Sequence, residues 1–292
     1  MGSYRWIGMV AILVAALGML AGCKDRKTTY TTASGAAATA EEKLLQEAET
    51  AWAERENKDQ LLVAIGKWEE YVAKDPTNKH VYGMLARAYY LLGNGHETEE
   101  EAMLAAYDKG ASYAEQGMAL NEGFLQCVEK GGKDYKCLDE NMTQEDILSV
   151  YWAYANIGKW SAISGFTYIV KNKSKLKGIS DWVQATDPNF YYGAGDRILG
   201  TYYAKAPAAF GGDLDKSLTH FNASLKIEPN YLGTKVLMAQ YYCTRKLDRE
   251  LFVQLCNEVI NADPNSIPEI AAEQKLEQGN AQRLLDQVDD LF

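Results

Sequence analysis

The sequence predicts an all-α protein, an α-solenoid of stacked helical hairpins, and three observations predict it. Apolar residues recur at helical spacing, as in Leu44, Leu45, Ala48 and Trp52, then Leu61, Leu62, Ile65, Trp68 and Tyr71. Acidic-Pro pairs stand at Asp75-Pro76, Asp187-Pro188, Glu228-Pro229 and Asp263-Pro264. They close helices, because proline cannot donate a backbone bond and crowds the turn before it. The residues ahead of each stop repeat at fixed offsets: Ala64, Trp68 and Tyr71; Leu176, Ser180 and Val183; Ser217, Phe221 and Ser224; Phe252, Cys256 and Val259.

Those offsets are the second-helix half of a tetratricopeptide repeat, in which a small residue and an aromatic one turn apart pack the partner helix. The hairpins are therefore degenerate and tetratricopeptide-like. The four prolines lie 112, 41 and 35 residues apart. Against a repeat of about 34 residues, the last interval is nearly regular, 41 is one repeat with a long turn, and 112 is about three decayed repeats with insertions.

Taken in order, the chain begins with a leader. Arg5 gives a short positive start, and Trp6 to Met19 is an apolar run too short for a comfortable membrane span. Leu20-Ala21-Gly22-Cys23 resembles the bacterial lipobox. That resemblance implies removal of residues 1–22 and a membrane anchor of lipid on Cys23. Lys24 in place of Asp implies the outer membrane, facing the periplasm, in a Gram-negative cell. Residues 23–40 read as the lipidated cysteine and a flexible tether, small and polar without apolar periodicity. Residues 41–292 read as a single helical-repeat domain.

Within it, Asn78 to Leu92 is a helix stopped by Gly93-Asn94-Gly95. Thr98 and Glu101, at capping-box spacing, open a helix to about Leu120. Gly131-Gly132-Lys133-Asp134 is a loop between two cysteines. Thr143 with Asp146 starts a helix holding Tyr151-Trp152-Ala153-Tyr154, and Ser161 to Val170 forms its partner, followed by a basic turn over 171–177. An aromatic, Gly-spaced helix follows from about Phe190 to Lys205. The wide turn after it contains Pro207, Gly211, Gly212 and Asp213, suited to a fixed, unusual backbone path. A C-terminal helix from Pro268 to about Asp289 is expected to cap the solenoid.

Composition narrows the function. The chain is 47% hydrophobic and 24% charged, ordinary for a globular protein. A net charge of −10 argues against a nucleic-acid partner, which calls for a basic patch. Beyond Cys23 four cysteines remain, an even number that favours disulfides in an oxidising compartment. Local pairing, Cys127–Cys137 and Cys243–Cys256, is the simplest of three connectivities. There is no CxxC and the three histidines are scattered, so neither a metal nor a cofactor is expected. Gly193-Ala194-Gly195 and Gly211-Gly212 do not form a phosphate loop, and Ser217 lacks a nucleophile elbow. His220, one residue before Phe221 on an amphipathic helix, reads as an exposed surface histidine, and Asp213 reads as a helix N-cap. No active site is specified, and the chain is expected not to be an enzyme.

The aromatic residues, 19 Tyr and 6 Trp, say more. Most fill the core, but consecutive aromatics on one helix cannot all face it. In this repeat geometry the first helix of each pair lines the concave face. Counting from each closing proline, that face includes His80, Arg87 and Tyr90, then Tyr192, Leu199 and Tyr202, then Gly233, Val236 and Gln240, with Trp152 from the middle. Such a groove, apolar and aromatic with few charges, suits a peptide helix or an apolar ligand.

Cys23 in its lipobox, the Tyr151-Trp152-Ala153 helix, and the run from Tyr192-Gly193 through Pro207, Gly211-Gly212-Asp213 to His220-Phe221 resemble the TatT family. These are the lipoprotein T components associated with TRAP (tripartite ATP-independent periplasmic) transporters. The likeness spans roughly residues 41–265 and is strongest in 188–229. It implies an all-helical periplasmic lipoprotein, a homo-oligomer (a trimer in the family), with a pore or cleft through each protomer. It also implies partnership with a periplasmic solute-binding protein and passage of an apolar, carboxylate-bearing small ligand. The long turn is carried over as a structural motif, and no catalytic residue is. The second reading is a generic tetratricopeptide-like lipoprotein scaffold for outer-membrane or pilus assembly.

Overall fold

Helix follows helix from Ala40 to Leu291, and no strand occurs among residues 39–292, the part of the chain that this computed structural model describes. The leader, Cys23 and the tether up to residue 38 lie outside the described residues. The fold is all-α and built of helical hairpins.

The first hairpin pairs α1 (Ala40–Ala53) with α2 (Lys58–Lys74). Thr39 and Glu42 form a capping box on α1, and the Asn57 side chain caps α2. Next come α3 (Lys79–Leu91), prolonged by a π-helical turn over Leu92–His96, and α4 (Glu100–Ala119). The expected Thr98–Glu101 box is not used: Glu99 takes the cap position and its side chain makes no capping bond. Two short helices, α5 (Glu122–Glu129) and α6 (Asp134–Asn141), are joined by a Cys127–Cys137 disulfide with Cα atoms 5.9 Å apart.

Helix α7 (Ile147–Ser164) pairs with α8 (Phe166–Thr186). The turn between them is Gly165 at φ 104°, and the basic stretch 171–177 is helical instead of a turn. Its lysines are good helix formers, so charge alone does not break the helix. Then follow α9 (Phe190–Lys205) with α10 (Leu214–Ile227). The last pair is α11 (Leu232–Leu237), a π-helical turn over Met238–Cys243 and the single turn α12 (Thr244–Lys246), set against α13 (Arg249–Ile260). The chain ends in α14 (Ala271–Asp286) and α15 (Val288–Leu291).

All twelve repeat-offset positions, from Ala64 to Val259, are buried. The serines that stand in for alanine are bonded in place. Ser180 Oγ donates to Leu176 O at 2.8 Å, Ser217 Oγ donates to Gly200 O at 2.8 Å, and Ser224 Oγ lies 3.1 Å from Thr234 Oγ1. A buried hydroxyl is tolerated because its bond offsets the desolvation it suffers. The expected Cys243–Cys256 bridge is absent. Both are free thiols buried in the C-terminal core, where burial pushes Cys243 up to about 12 and Cys256 up to about 11. The thiolate that disulfide chemistry needs is disfavoured there.

The C-terminal helix covers the last hairpin, as a cap does, but it also reaches the start of the array. Helix α14 packs chiefly on α13 and α11 of the last hairpin. Its other side reaches the first two hairpins through the π-helical turn at Leu92–His96 and a set of side-chain bonds. The Arg55 guanidinium, 218 residues away in sequence, reaches the Glu273 carboxylate at 2.6 Å and donates to Glu269 O at 2.7 Å. Asn94 donates to Glu277 at 3.2 Å, and Leu276 packs onto Gly95 so closely that a Cβ there would meet it at 2.6 Å. Gln274, almost fully buried, bonds Leu232 N and Asn230 O of the last hairpin. One helix thus ties the two ends of the repeat array together, and the solenoid closes on itself.

Candidate functional site

Closure leaves a cavity in the middle with three adjoining chambers. The first, about 210 Å³, is walled by α3, α7, α9, α11 and α14. Arg87 on α3 and Arg55 on the loop after α1 both pair with Glu273 of α14. Burial alone would raise the Glu273 carboxyl, but the two guanidiniums outweigh it and hold it below its usual range. Arg87 also lies 5.1 Å from the Trp52 ring centroid and 5.0 Å from that of Tyr191. Its Nε, like Trp152 Nε1, is buried with no hydrogen-bond partner. Both donors border the same chamber.

Opposite stands Arg197, only 1% exposed. It makes no ion pair among the described residues. Its guanidinium donates to Tyr192 O, Tyr191 O and Tyr151 Oη, each at 3.1 Å, and lies 4.2 Å from the Tyr231 ring centroid. The carbonyls it holds belong to an unusual turn. Tyr191, Tyr192 and Gly193, at the start of α9, have φ of 42°, 61° and 75°. Such a left-handed turn costs roughly 1–2 kcal/mol per non-glycine residue. Arg197 fastens it and presents the Tyr191 ring to the chamber.

The second chamber, about 90 Å³, is the apolar one, bordered by Tyr154, Ile169, Leu176, Ile198, Tyr202 and Leu237 among others. Pro207 and Phe210 of the wide turn close one side. That turn is held by Gly212 N–H to Pro207 O and Asp213 N–H to Tyr203 O, both 3.0 Å, while the Asp213 side chain caps α10. Gly212 is obligatory, since a Cβ there would lie 1.7 Å from Ala206 O. The third chamber, about 590 Å³, lies among the two π-helical turns, α7 and α14. Lys159 borders all three, and Lys205 borders the second and third.

Comparison with protein families decides whose site this is. The sequence model of the TRAP transporter T-component family, TAtT, matches residues 58–292. The chain belongs to that family. No curated protein is significantly similar to it.

In this T-component the structure brings together Arg87, Tyr90, Trp152, Val236 and Gln240 in the first chamber, with Gly233, and places Tyr202 in the second. Three expected groove residues lie elsewhere. His80 is on the outer surface, Leu199 is core at 4% exposure, and Tyr192 stacks on Tyr231 while donating to Glu269 at 2.8 Å. The groove also carries more charge than expected, in Arg87, Arg197, Glu273 and the two lysines. His220 is not a free surface residue: Nδ1 lies 2.7 Å from Asp196 Oδ1 and the ring stacks on Tyr203.

Sequence reasoning missed Tyr191, Arg197, Tyr231 and Glu273. The signal for Arg197 was present, a lone arginine inside a glycine-rich aromatic helix. Tyr191 was missed because a left-handed turn rotates the helix start out of the 3.6-residue register used for counting. Among the described residues no cluster of His, Cys, Asp or Glu could hold a metal, and no helix is long and apolar enough to cross a membrane.

Proposed function

We propose that this T-component is held at the periplasmic face of the outer membrane by lipid on Cys23, docks a periplasmic solute-binding protein, and passes a small ligand through its central cavity. The observation that carries this reading is the closure of the hairpins around that cavity. Its walls are aromatic, and its polar groups Arg87 Nε and Trp152 Nε1 lack partners. A stacked scaffold needs only its outer faces, whereas a walled, partly unsatisfied interior suits a ligand. The chemistry required is binding and release, with no bond made or broken. Assembly as a homo-oligomer, a trimer as in the family, belongs to the same reading.

Immobilised protein is expected to retain a solute-binding protein from a periplasmic extract of the source cell, identified by mass spectrometry. Recovery of none under gentle conditions would overturn the docking role.

A further inference from the structure

The cavity is bordered by two lysines that make no ion pair among the described residues. Lys159 on α7 and Lys205 at the end of α9 are half-buried, and both face the second and third chambers. Neither has a carboxylate within ion-pair distance among the described residues. Of the carboxylates bordering the chambers, Glu97 pairs with Lys58 at 2.9 Å and Glu273 with Arg55 and Arg87. Glu277 is bonded only to neutral amides, Asn94 at 3.2 Å and Asn280 at 2.9 Å, and lies beyond ion-pair distance of both lysines, its charge still acting on Lys159. The contact found for Lys205 is the Tyr241 ring, 4.6 Å from Nζ to its centroid.

Burial pushes Lys205 down to about 8, and the positive charge of Lys159 pushes the same way; Lys159 is itself lowered by burial. Two like charges crowded in one cavity of a protein whose net charge is −10 are costly unless something opposes them. Of the other cations bordering the region, Arg197 clasps the left-handed turn, Lys173 lies 4.8 Å over the Phe210 ring, and Arg283 donates to the Asn280 side chain.

We infer that Lys159 and Lys205 form a seat for the anionic head of an amphiphile whose apolar body lies in the adjoining second chamber. This rests on the reading of the cavity as a ligand path, and it assigns the head and the tail to named walls. The head group is an oxyanion, carboxylate or phosphate, since both accept from two ammonium groups at once. The tail is bounded by Tyr154, Ile169, Leu176, Ile198 and Leu237.

The test measures affinity calorimetrically for three probes of one chain length, decanoate, decyl phosphate and decanol. The protein is residues 39–292, a compact unit with its own cores. Either or both anions are expected to bind, the stronger naming the head group, and decanol at least tenfold more weakly. Lys159→Met and Lys205→Met are each expected to weaken the anion at least tenfold, leave decanol within about twofold, and unfold at no lower temperature than the parent. Decanol binding as tightly as both anions would overturn the seat. So would unchanged anion affinity in folded Met variants, or no binding of any probe. Each of those results leaves retention of a solute-binding protein free to succeed, so failure of the seat and failure of the docking role are told apart.

Discussion

Glu273 sits with one negative charge between two guanidiniums, and its own side chain is only 11% exposed. Its folded-state value is depressed below the ordinary glutamate value by the two guanidiniums. A depressed carboxylate stabilises the fold above its unfolded value, and that contribution is lost as pH falls through the folded one. The Glu273→Gln variant keeps the shape but leaves Arg55 and Arg87 buried without a countercharge. It is expected to cost about 3 kcal/mol at pH 7, the low end for breaking a buried pair. Urea denaturation at pH 6 and pH 3.5 should show the gap between wild type and variant narrowing as the wild-type carboxyl takes up its proton. A gap independent of pH would show that the charge is not what stabilises. None of this was visible at the level of single residues in the sequence, because Glu273 looks like one more acidic residue on a polar terminal helix. Arg87, by contrast, was legible: it falls on the concave face when counted from Pro76, since α3 is a regular helix from Lys79 onward.

At the scale of elements, legibility followed helical regularity. The proline stops located the second helices of four hairpins, and every offset residue before them is buried. Where the backbone leaves α-geometry, the count fails. The π-helical turns at 92–96 and 238–243 and the left-handed turn at 191–193 carry no strong local signature. Yet Asn94, Gln240 and Tyr191 border the first chamber from those three irregular turns. The wide turn from Pro207 to Asp213 was legible as fixed, because its proline and two glycines announce a special path. Gly212→Ala tests that fixity. The Cβ would meet a backbone carbonyl at 1.7 Å, and a carbonyl, unlike a side-chain tip, cannot swing aside. The expected cost is about 2–3 kcal/mol in chemical denaturation, in the range of backbone-strain substitutions. A loss under about 0.5 kcal/mol, the range of neutral surface changes, would show that the turn is free to adjust.

At the scale of the whole molecule, closure separates this protein from an open solenoid. In an open array each repeat touches only its neighbours, so the terminal repeats fray first and the middle persists. Here the ends touch. Arg55 of the first hairpin is bonded to Glu273 and to Glu269 O, Lys275 pairs with Glu56, and Leu276 packs against Gly95. These contacts join residues about two hundred positions apart, and no periodicity within a window of sequence encodes them. That is why the closing helix read only as a cap. Opening the array would remove α14 from the first chamber and leave the cavity a groove. Hydrogen exchange followed by mass spectrometry is therefore expected to show α2 and α14 protected to a similar degree in the wild type. Arg55→Ala, which removes one buried link between the ends without touching Lys159, Lys205 or Arg197, is expected to raise exchange in α1, α2 and α14 together. The α9–α10 hairpin, which keeps its own packing through Phe221 and the Ser217–Gly200 bond, is expected to stay as it was. Rapid exchange of α1 and α2 already in the wild type, with α14 still protected, would mean that the ends are not coupled and that the cavity opens without the closing helix.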